Sequence, residues 1–176
     1  MISKILDKLV NIKLFLFDLE GVLLFNDQKS ENRSIQLMIE SIRRAAENFK
    51  AANFKFGIVS ARHKDDLVNE LNRIENCIVF STSVDKVGPV EEYAGTLNLD
   101  MSNIFYMGDE MLDIPLLKKC GLSASPKNVK REIKKNVDFT IDVKSADEVF
   151  DYIFDLLKKV NKNGPNNFAG DISAQT

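Results

Sequence analysis

The fold is decided by the stretch KLFLFDLEGVLL, residues 13–24. Its apolar run from Leu14 to Phe17 has the length of a strand that is buried on both faces, as in a parallel sheet covered by helices. The run ends at Asp18, and a second acid, Glu20, follows two residues later. Ligands of open α/β sheets bind beyond the carboxyl ends of the strands, so both acids are candidate site residues. Taken alone, they could also begin a solvated turn.

Apolar strands alternate with amphipathic helices along the rest of the chain. Strands are predicted at 14–17, 54–59, 77–80, 103–107, 122–124 and 138–141, and helices at 3–10, 35–49, 67–74, 88–97, 112–119, 129–135 and 146–160. Residues 22–25 are predicted to be extended, residues 26–34 to form a polar loop or an abbreviated hairpin, and Ser34 to cap the helix that follows. The alternation predicts an α/β fold, a Rossmann-like three-layer α/β/α sandwich with a mainly parallel central sheet.

Length and composition indicate one globular domain. The 176 residues favour a single domain over residues 1–161, and the Asn-, Gly- and Ser-containing residues 162–176 read as a flexible tail. A net charge of -2 provides no overall basic field for nucleic acid, and no segment has transmembrane length. Cys77 and Cys120 lack a CxxC spacing and read as small buried hydrophobes in a reducing compartment. We therefore expect a cytoplasmic protein with no nucleic-acid or membrane partner.

Three polar clusters follow predicted strands: Asp18-Leu19-Glu20, Ser60-Ala61-Arg62, and Gly108-Asp109-Glu110 with Asp113. Because the carboxyl ends of parallel strands meet at one edge of a sheet, these clusters are expected to converge. Two aspartates together would repel each other, and Mg²⁺ would relieve that repulsion. One carboxylate could then attack phosphorus, while Glu20 acts as general acid and base. Ser60 and Lys86 could bind the transferring phosphoryl group.

Four motifs in this order resemble the haloacid dehalogenase superfamily: residues 17–22, 58–62, 85–86 and 106–115. The resemblance spans about residues 12–160. The short segments between the motifs resemble the capless branch typified by 3-deoxy-D-manno-octulosonate 8-phosphate (KDO 8-phosphate) phosphatase, so no large cap domain is expected.

The resemblance implies a role for each matching residue. Asp18 would be the nucleophile and Glu20 the acid and base, and both would bind Mg²⁺, the latter through its backbone carbonyl. Asp109 and Asp113 would complete the metal site. The phosphorylated substrate would be bound by Ser60, Ala61, Arg62 and Lys86. The implied activity is a Mg²⁺-dependent phosphomonoesterase that acts on a small phosphorylated metabolite through an aspartyl-phosphate.

Three departures from the family pattern leave parts of this hypothesis open. Glu20 stands where the family usually has aspartate, which adds a methylene and a torsion to the acid. The segment 26–34 is shorter than the hairpin of KDO 8-phosphate phosphatases, and 144–147 replaces their glycine-rich, arginine-bearing stretch. The family's tetramer and its sugar-acid substrate are therefore open for this chain, and a homo-oligomer is a possibility that only the family resemblance suggests.

Two other functions are open alternatives. One is a catalytically weak domain retained for assembly or regulation, as in the similar domain fused to some acylneuraminate cytidylyltransferases. The other is phosphotransfer to an acceptor other than water. Glu20 and the missing substrate-side segments favour the assembly domain, whereas the intact set Asp18, Ser60, Lys86, Asp109 and Asp113 opposes it. Phosphotransfer needs the same residues as hydrolysis, so the sequence does not separate these two reactions, and it does not name the substrate.

Overall fold

The computed structural model describes residues 2–25, 31–81 and 84–163, in which strands and helices alternate. The strands are β1 (Leu14–Asp18), β2 (Lys55–Ser60), β3 (Cys77–Ser81), β4 (Ile104–Met107), β5 (Leu122–Pro126) and β6 (Phe139–Ile141). The helices are α1 (Ile2–Leu9), α2 (Glu31–Ala51), α3 (Asp66–Leu71), α4 (Val87–Thr96), α5 (Ile114–Lys119), α6 (Arg131–Lys134) and α7 (Ala146–Asn163). Short 3₁₀ turns at Met101–Asn103 and Met111–Asp113 precede β4 and α5.

The six strands form one parallel sheet in the order β3-β2-β1-β4-β5-β6. β1 lies at its centre, where Phe15 is opposite Phe56 of β2 on one side and Phe105 of β4 on the other. The direction of winding reverses between β1 and β4, which is where open α/β sheets bind ligands. The predicted sandwich with a mainly parallel sheet is confirmed, and the described part of the chain contains no cap domain.

Two apolar cores hold the helices against the sheet. On one face, the side chains of α1, α2 and α7 pack on odd-numbered residues of β1, such as Phe15. The ring of Phe49 from α2 stacks 4.9 Å from Phe15 and 5.1 Å from Phe56. On the other face, α4, α5 and α6 cover Leu16 and Tyr106. Each fully buried side chain of this size contributes about 1.5–3 kcal/mol, so β1 is firmly fixed.

The structure differs from the sequence prediction on either side of residue 30. Helix α2 begins at Glu31, so the prediction of a loop over 31–34 with Ser34 as the cap is wrong, while residues 26–30 lie outside the described part. The predicted extended segment over 22–25 does not form a strand, because residues 22 and 23 lie in a turn and Leu24 makes only an isolated β-bridge with Glu20. The backbone N–H groups of Leu23 and Leu24 both donate to the carbonyl of Leu19, and Gly21 has a φ of 75°. This glycine reverses the chain direction, and the apolar residues after it are therefore buried in a turn.

The C-terminal helix is longer than predicted. Ser145 caps its N-terminus, because the N–H of Glu148 donates to Ser145 Oγ at 3.3 Å. The Glu148 carboxylate accepts from the N–H of Lys144, one residue before the position that a capping box uses. Helix α7 continues to Asn163. The predicted tail lies, apart from residues 162 and 163, outside the described residues, and the domain boundary stays a prediction.

Both cysteines are free thiols and half-buried, where the sequence predicts buried side chains. Burial raises the pKa of Cys77 to about 12 and also raises the pKa of Cys120. Neither residue therefore supplies a thiolate for catalysis near neutral pH. Within the described segments, no helix combines the length and apolar character that a membrane crossing requires.

Candidate active site

Four predicted site residues lie at the carboxyl edge of the central strands. Asp18 is the last residue of β1 and Ser60 the last residue of β2. Asp109 comes two residues after β4, and Lys86 immediately precedes α4. The parallel sheet therefore brings residues from distant parts of the sequence to one edge, as the sequence predicts.

Lys86 is the centre of a buried ionic cluster. Its Nζ donates to Asp18 Oδ1 at 2.7 Å and to Asp113 Oδ1 at 2.6 Å. The three side chains are between 0% and 4% exposed. Burial lowers the pKa of Lys86, but the carboxylates of Asp18 and Asp113 more than offset this effect and raise its pKa overall. The ammonium group is therefore charged, and it bridges the two acids.

Asp113 anchors the loop that follows β4. Its Oδ1 accepts from Lys86 and from the hydroxyl of Tyr106 at 2.6 Å, and its Oδ2 accepts from the backbone N–H groups of Asp109 and Glu110, both at 2.9 Å. A buried carboxylate with four donors is well satisfied. Asp113 thus fixes the backbone from which the Asp109 side chain projects.

Two glycines make room for these carboxylates. A Cβ on Gly21 would lie 1.9 Å from Asp109 Oδ2, and the φ of Gly21 is +75°, a region that favours glycine. A Cβ on Gly108 would lie 2.6 Å from the Asp113 Cγ. Side chains at these two positions would displace the acids, which gives both glycines a role that the sequence analysis did not assign.

The aspartates fit a divalent cation. Asp18, Asp109 and Asp113 each offer one carboxylate oxygen, and these oxygens lie within 4.8 Å of one another. Asp109 Oδ1 is buried without a hydrogen-bond partner among the described residues. Burial and then Asp113 raise the pKa of Asp18, with Lys86 only partly opposing them, and burial, Asp113 and Glu110 raise the pKa of Asp109 to about 6. This uncompensated negative charge on oxygen ligands suits Mg²⁺.

Glu20 lies apart from the buried cluster and is half-exposed. Its Oε2 accepts from Ser60 Oγ at 3.0 Å, and its Oε1 accepts from Arg62 Nη1 at 2.9 Å. The Ser60 hydroxyl in turn accepts the backbone N–H of Arg62 at 3.1 Å. Both carboxylate oxygens of the longer acid are thus held by β2 and the residues that follow it.

Arg62 contacts a second acid. Its Nε donates to Asp65 Oδ2, and Asp65 Oδ1 accepts the backbone N–H of Val68 at 2.9 Å, which makes Asp65 the N-cap of α3. Ala61, between Ser60 and Arg62, is exposed at the edge of the site. The substrate-binding roles of Ala61 and Arg62 stay predictions.

A cavity of about 490 Å³ opens beside Ser60 and Lys86. Its polar wall includes Lys64, Asn69 and Asn72, and its apolar wall includes Val79 and Phe80. A second cavity, of about 440 Å³, lies beside Asp109 and Met111. Both volumes are in the range of small-molecule sites, so a substrate larger than a bare phosphate can be accommodated next to the reacting groups.

The sequence analysis missed Tyr106 and Asp65. Burial, followed by the charges of Asp18 and Asp113, raises the pKa of Tyr106 well above its usual value, so its phenol stays a donor. A tyrosine within an apolar strand was the available signal, because a buried hydroxyl needs a partner. Asp65 carried the weaker signal of an acid directly before a helix.

Two sequence comparisons show that this chain is similar to known hydrolases. The family model of the haloacid dehalogenase-like hydrolases matches residues 73–153, which include Lys86, Asp109 and Asp113. A phosphoglycolate phosphatase of Methanopyrus kandleri is 30% identical over 81 residues, which are 46% of this chain and 35% of that protein. The chain thus spans about a third of the length of this curated relative.

Solved structures share the fold over nearly the whole chain. The KDO 8-phosphate phosphatase of Yersinia pestis matches with a TM-score of 0.72 at 16% identity, over 91% of this chain and 88% of that one. The Moraxella catarrhalis enzyme of the same name, solved with magnesium, phosphate and KDO, matches with a TM-score of 0.72 at 17% identity, over 93% and 95% of the chains. The family model therefore confirms the resemblance to the haloacid dehalogenase superfamily over residues 73–153, and the solved structures confirm the fold.

Proposed function

We propose that this protein is a Mg²⁺-dependent phosphatase that hydrolyses a small phosphorylated metabolite through an aspartyl-phosphate on Asp18. The observation that carries the proposal is the buried arrangement of Lys86 between Asp18 and Asp113, with the unpartnered Oδ1 of Asp109 beside it. Buried charges of this kind are costly to assemble, and their clustering at a ligand-binding sheet edge favours a catalytic role.

Asp18, Asp109 and Asp113 would hold the metal, directly or through water, with the backbone carbonyl of Glu20 as a further ligand. Bound there, Mg²⁺ would supply positive charge to the phosphoryl oxygens. Lys86 supplies a second, fixed positive charge beside Asp18. The Ser60 hydroxyl, which donates to Glu20 in this structure, would turn to donate to the phosphoryl group of the bound substrate.

The chain's own residues account for both halves of the reaction. In the first, a carboxylate oxygen of Asp18 attacks phosphorus, the bond from phosphorus to the leaving oxygen breaks, and Glu20 gives its proton to that oxygen. In the second, Glu20 takes a proton from water, the water oxygen bonds to phosphorus, and the bond to Asp18 breaks to release inorganic phosphate. Asp18 and Glu20 are thereby restored.

The cavity beside Ser60 and Lys86 suggests the class of substrate. Its polar lining includes the amides of Asn69 and Asn72, the ammonium group of Lys64 and the carboxylate of Asp85, which suits a leaving portion rich in hydroxyl groups. The related enzymes are named for KDO 8-phosphate and phosphoglycolate, which are small phosphorylated acids. We propose a substrate of this class, with a sugar acid such as KDO 8-phosphate as one candidate.

The assembly-domain alternative has less support. A domain that had lost catalysis would be under no constraint to keep Lys86 buried between two carboxylates, because such a charged cluster gives weak stabilisation compared with apolar packing. Transfer to an acceptor other than water would use the same residues. A homo-oligomer, suggested by the family resemblance, and a cytoplasmic location, expected from the sequence, stay predictions.

Hydrolysis of p-nitrophenyl phosphate tests the proposal. We expect release of p-nitrophenolate with Mg²⁺ and its loss when the metal is removed with EDTA, restored by excess Mg²⁺. A panel of small phosphorylated acids and neutral sugar phosphates would then identify the substrate class. A folded protein that hydrolyses no phosphate monoester with Mg²⁺ would contradict the proposal and favour the assembly domain.

A further inference from the structure

We propose that Arg62 and Asp65 are positioning residues, which hold Glu20 where it protonates the leaving oxygen. This inference rests on the proposed function. The arrangement comprises Glu20, Ser60, Arg62 and Asp65, and we call it the Glu20 clamp. Its contacts run from the carboxylate of Glu20 through the guanidinium of Arg62 to the carboxylate of Asp65, which caps α3.

The length of the acid creates the need for a clamp. Glutamate has one more rotatable bond than aspartate, so an unrestrained Glu20 would spend much of its time away from the leaving oxygen. The structure restrains both ends of its carboxylate, since Oε1 accepts from Arg62 and Oε2 accepts from Ser60. When the Ser60 hydroxyl turns to the phosphoryl group, the contact from Arg62 to Oε1 remains and keeps the acid oriented, which is what acid catalysis requires.

Arg62 is suited to hold Glu20 in a fixed position relative to Asp65, because its guanidinium is planar and rigid. Two different nitrogens are used: Nη1 contacts Glu20 and Nε contacts Asp65. Asp65 is itself fixed, because it accepts the N–H of Val68 at the first turn of α3. The clamp thus connects the acid to a helix, through a residue that lysine could not replace at both contacts.

Stability does not explain the arrangement. The Arg62 and Glu20 side chains are 39% and 41% exposed, and ion pairs at such positions contribute little to folding. We therefore expect the ion pair between Arg62 and Glu20 to fix the position of the Glu20 carboxylate and to contribute little to folding.

Dependence on the leaving group distinguishes this role from a general structural one. Phenyl phosphate and p-nitrophenyl phosphate have similar size, but the phenolate of the first is the poorer leaving group and needs protonation more. A misplaced acid should therefore lower kcat/KM selectively for phenyl phosphate. Arg62→Gln removes the guanidinium. Asp65→Asn keeps a side chain that caps α3 well but removes the charge that Arg62 contacts.

The experiment measures kcat/KM of the full chain with Mg²⁺ for both substrates. We expect Arg62→Gln to lose about 10- to 100-fold with phenyl phosphate and less than about threefold with p-nitrophenyl phosphate. Asp65→Asn should show a smaller loss with the same selectivity. Arg44→Gln is the matched control, because Arg44 forms an exposed ion pair with Asp147 away from the site and should change neither rate.

Equal losses on both substrates, or no loss in Arg62→Gln, would overturn the inference while leaving the proposed phosphatase intact. A wild-type protein that hydrolyses neither compound would overturn the proposed function and this inference with it. Selective loss in both variants, with melting temperatures unchanged from that of Arg44→Gln, would support the clamp.

Discussion

The two sides of the candidate site are built from similar ion pairs but in opposite environments. The Lys86 cluster, which comprises Asp18, Lys86 and Asp113, has side chains at most 4% exposed. In the Glu20 clamp, the arginine and the two acids that it contacts are 39–41% exposed. The same chemistry of carboxylate and cation therefore has a different physical meaning on each side.

Burial decides that meaning. In the Lys86 cluster, water cannot screen or replace a missing partner, so each charge depends on the others. In the Glu20 clamp, water screens the pairs and can solvate a lone charge, so loss of a contact changes orientation more than stability. This difference in burial suits the proposed reaction. The proposed nucleophile, Asp18, is shielded from water, whereas the proposed acid, Glu20, is half-exposed, as a group that meets the leaving oxygen and the attacking water must be.

Lys86→Met should have the largest effect on stability. Removing the ammonium leaves Asp18 and Asp113 buried without a counter-charge, and we expect a loss of about 3–5 kcal/mol in the free energy of unfolding. Urea denaturation in the presence of EDTA measures it. Lys127→Met is the matched control, because Lys127 pairs with Asp142 where both side chains are more than 60% exposed. Equal stability of the two variants would remove the distinction between the two sides.

Mg²⁺ should stabilise the protein more above pH 6 than below it. Without metal, the folded protein holds a proton on Asp109 more tightly than the unfolded chain, because its pKa is raised from 3.8 to about 6. This stabilisation is fully present below 3.8 and is lost as the pH rises through 6. The raised pKa of Asp18 acts in the same direction. Mg²⁺ favours the deprotonated carboxylates, and it should contribute about 2.7 kcal/mol at 100 times its Kd above that pH.

Thermal unfolding with and without Mg²⁺, at about pH 5 and about pH 8, tests this sign. The metal-dependent rise in Tm should be larger at the higher pH. Asp109→Asn should reduce the rise at the higher pH, while Asp142→Asn, at an exposed site, should leave it unchanged. A larger effect at the lower pH would contradict a carboxylate site for the metal.

Gly21→Ala should cost about 1–2 kcal/mol through its positive φ alone, because a side chain disfavours that backbone conformation. The added Cβ would also displace the Asp109 carboxylate, so we expect a larger loss of Mg²⁺-dependent activity than of stability. Gly95→Ala is the control, since nothing lies within 4 Å of a Cβ there. Wild-type metal affinity in Gly21→Ala would show that the turn does not set the position of Asp109.

Arg62→Gln should have the smallest effect on stability. Its contacts are half-exposed, and we expect a change below about 1 kcal/mol in the free energy of unfolding. The same urea denaturation used for Lys86→Met provides the measurement. A loss as large as that of Lys86→Met would mean that the clamp is part of the core and not a device for orientation.

The sequence predicted the sheet and the convergence of most candidate site residues because both rest on local signals. The apolar run before Asp18 and the acids after later strands are visible without any tertiary contact, and parallel pairing then places them together. The start of α2 was misplaced because residues 31–34 are polar and lack the apolar periodicity that marks a buried helix face.

Other features depend on contacts between distant residues and could not be predicted in this way. The bond from Tyr106 to Asp113 joins a strand to the turn after it, and the position of Gly21 against Asp109 joins two loops. The contact between Arg62 and Glu20 could not be predicted for the same reason. From the sequence, Arg62 could equally be a substrate ligand or the partner of an acid.

Asp18→Asn provides the most direct test of the central claim, that Asp18 is the nucleophile. Asparagine has the shape of aspartate and keeps an oxygen that accepts from Lys86, but it lacks the carboxylate that attacks phosphorus. The measurement is the rate of phosphate release from p-nitrophenyl phosphate with Mg²⁺, on variants whose folding is checked by their melting temperatures. The account predicts a loss on the order of 10³-fold or more for a folded Asp18→Asn protein. Phosphate release by that variant at the wild-type rate would contradict it.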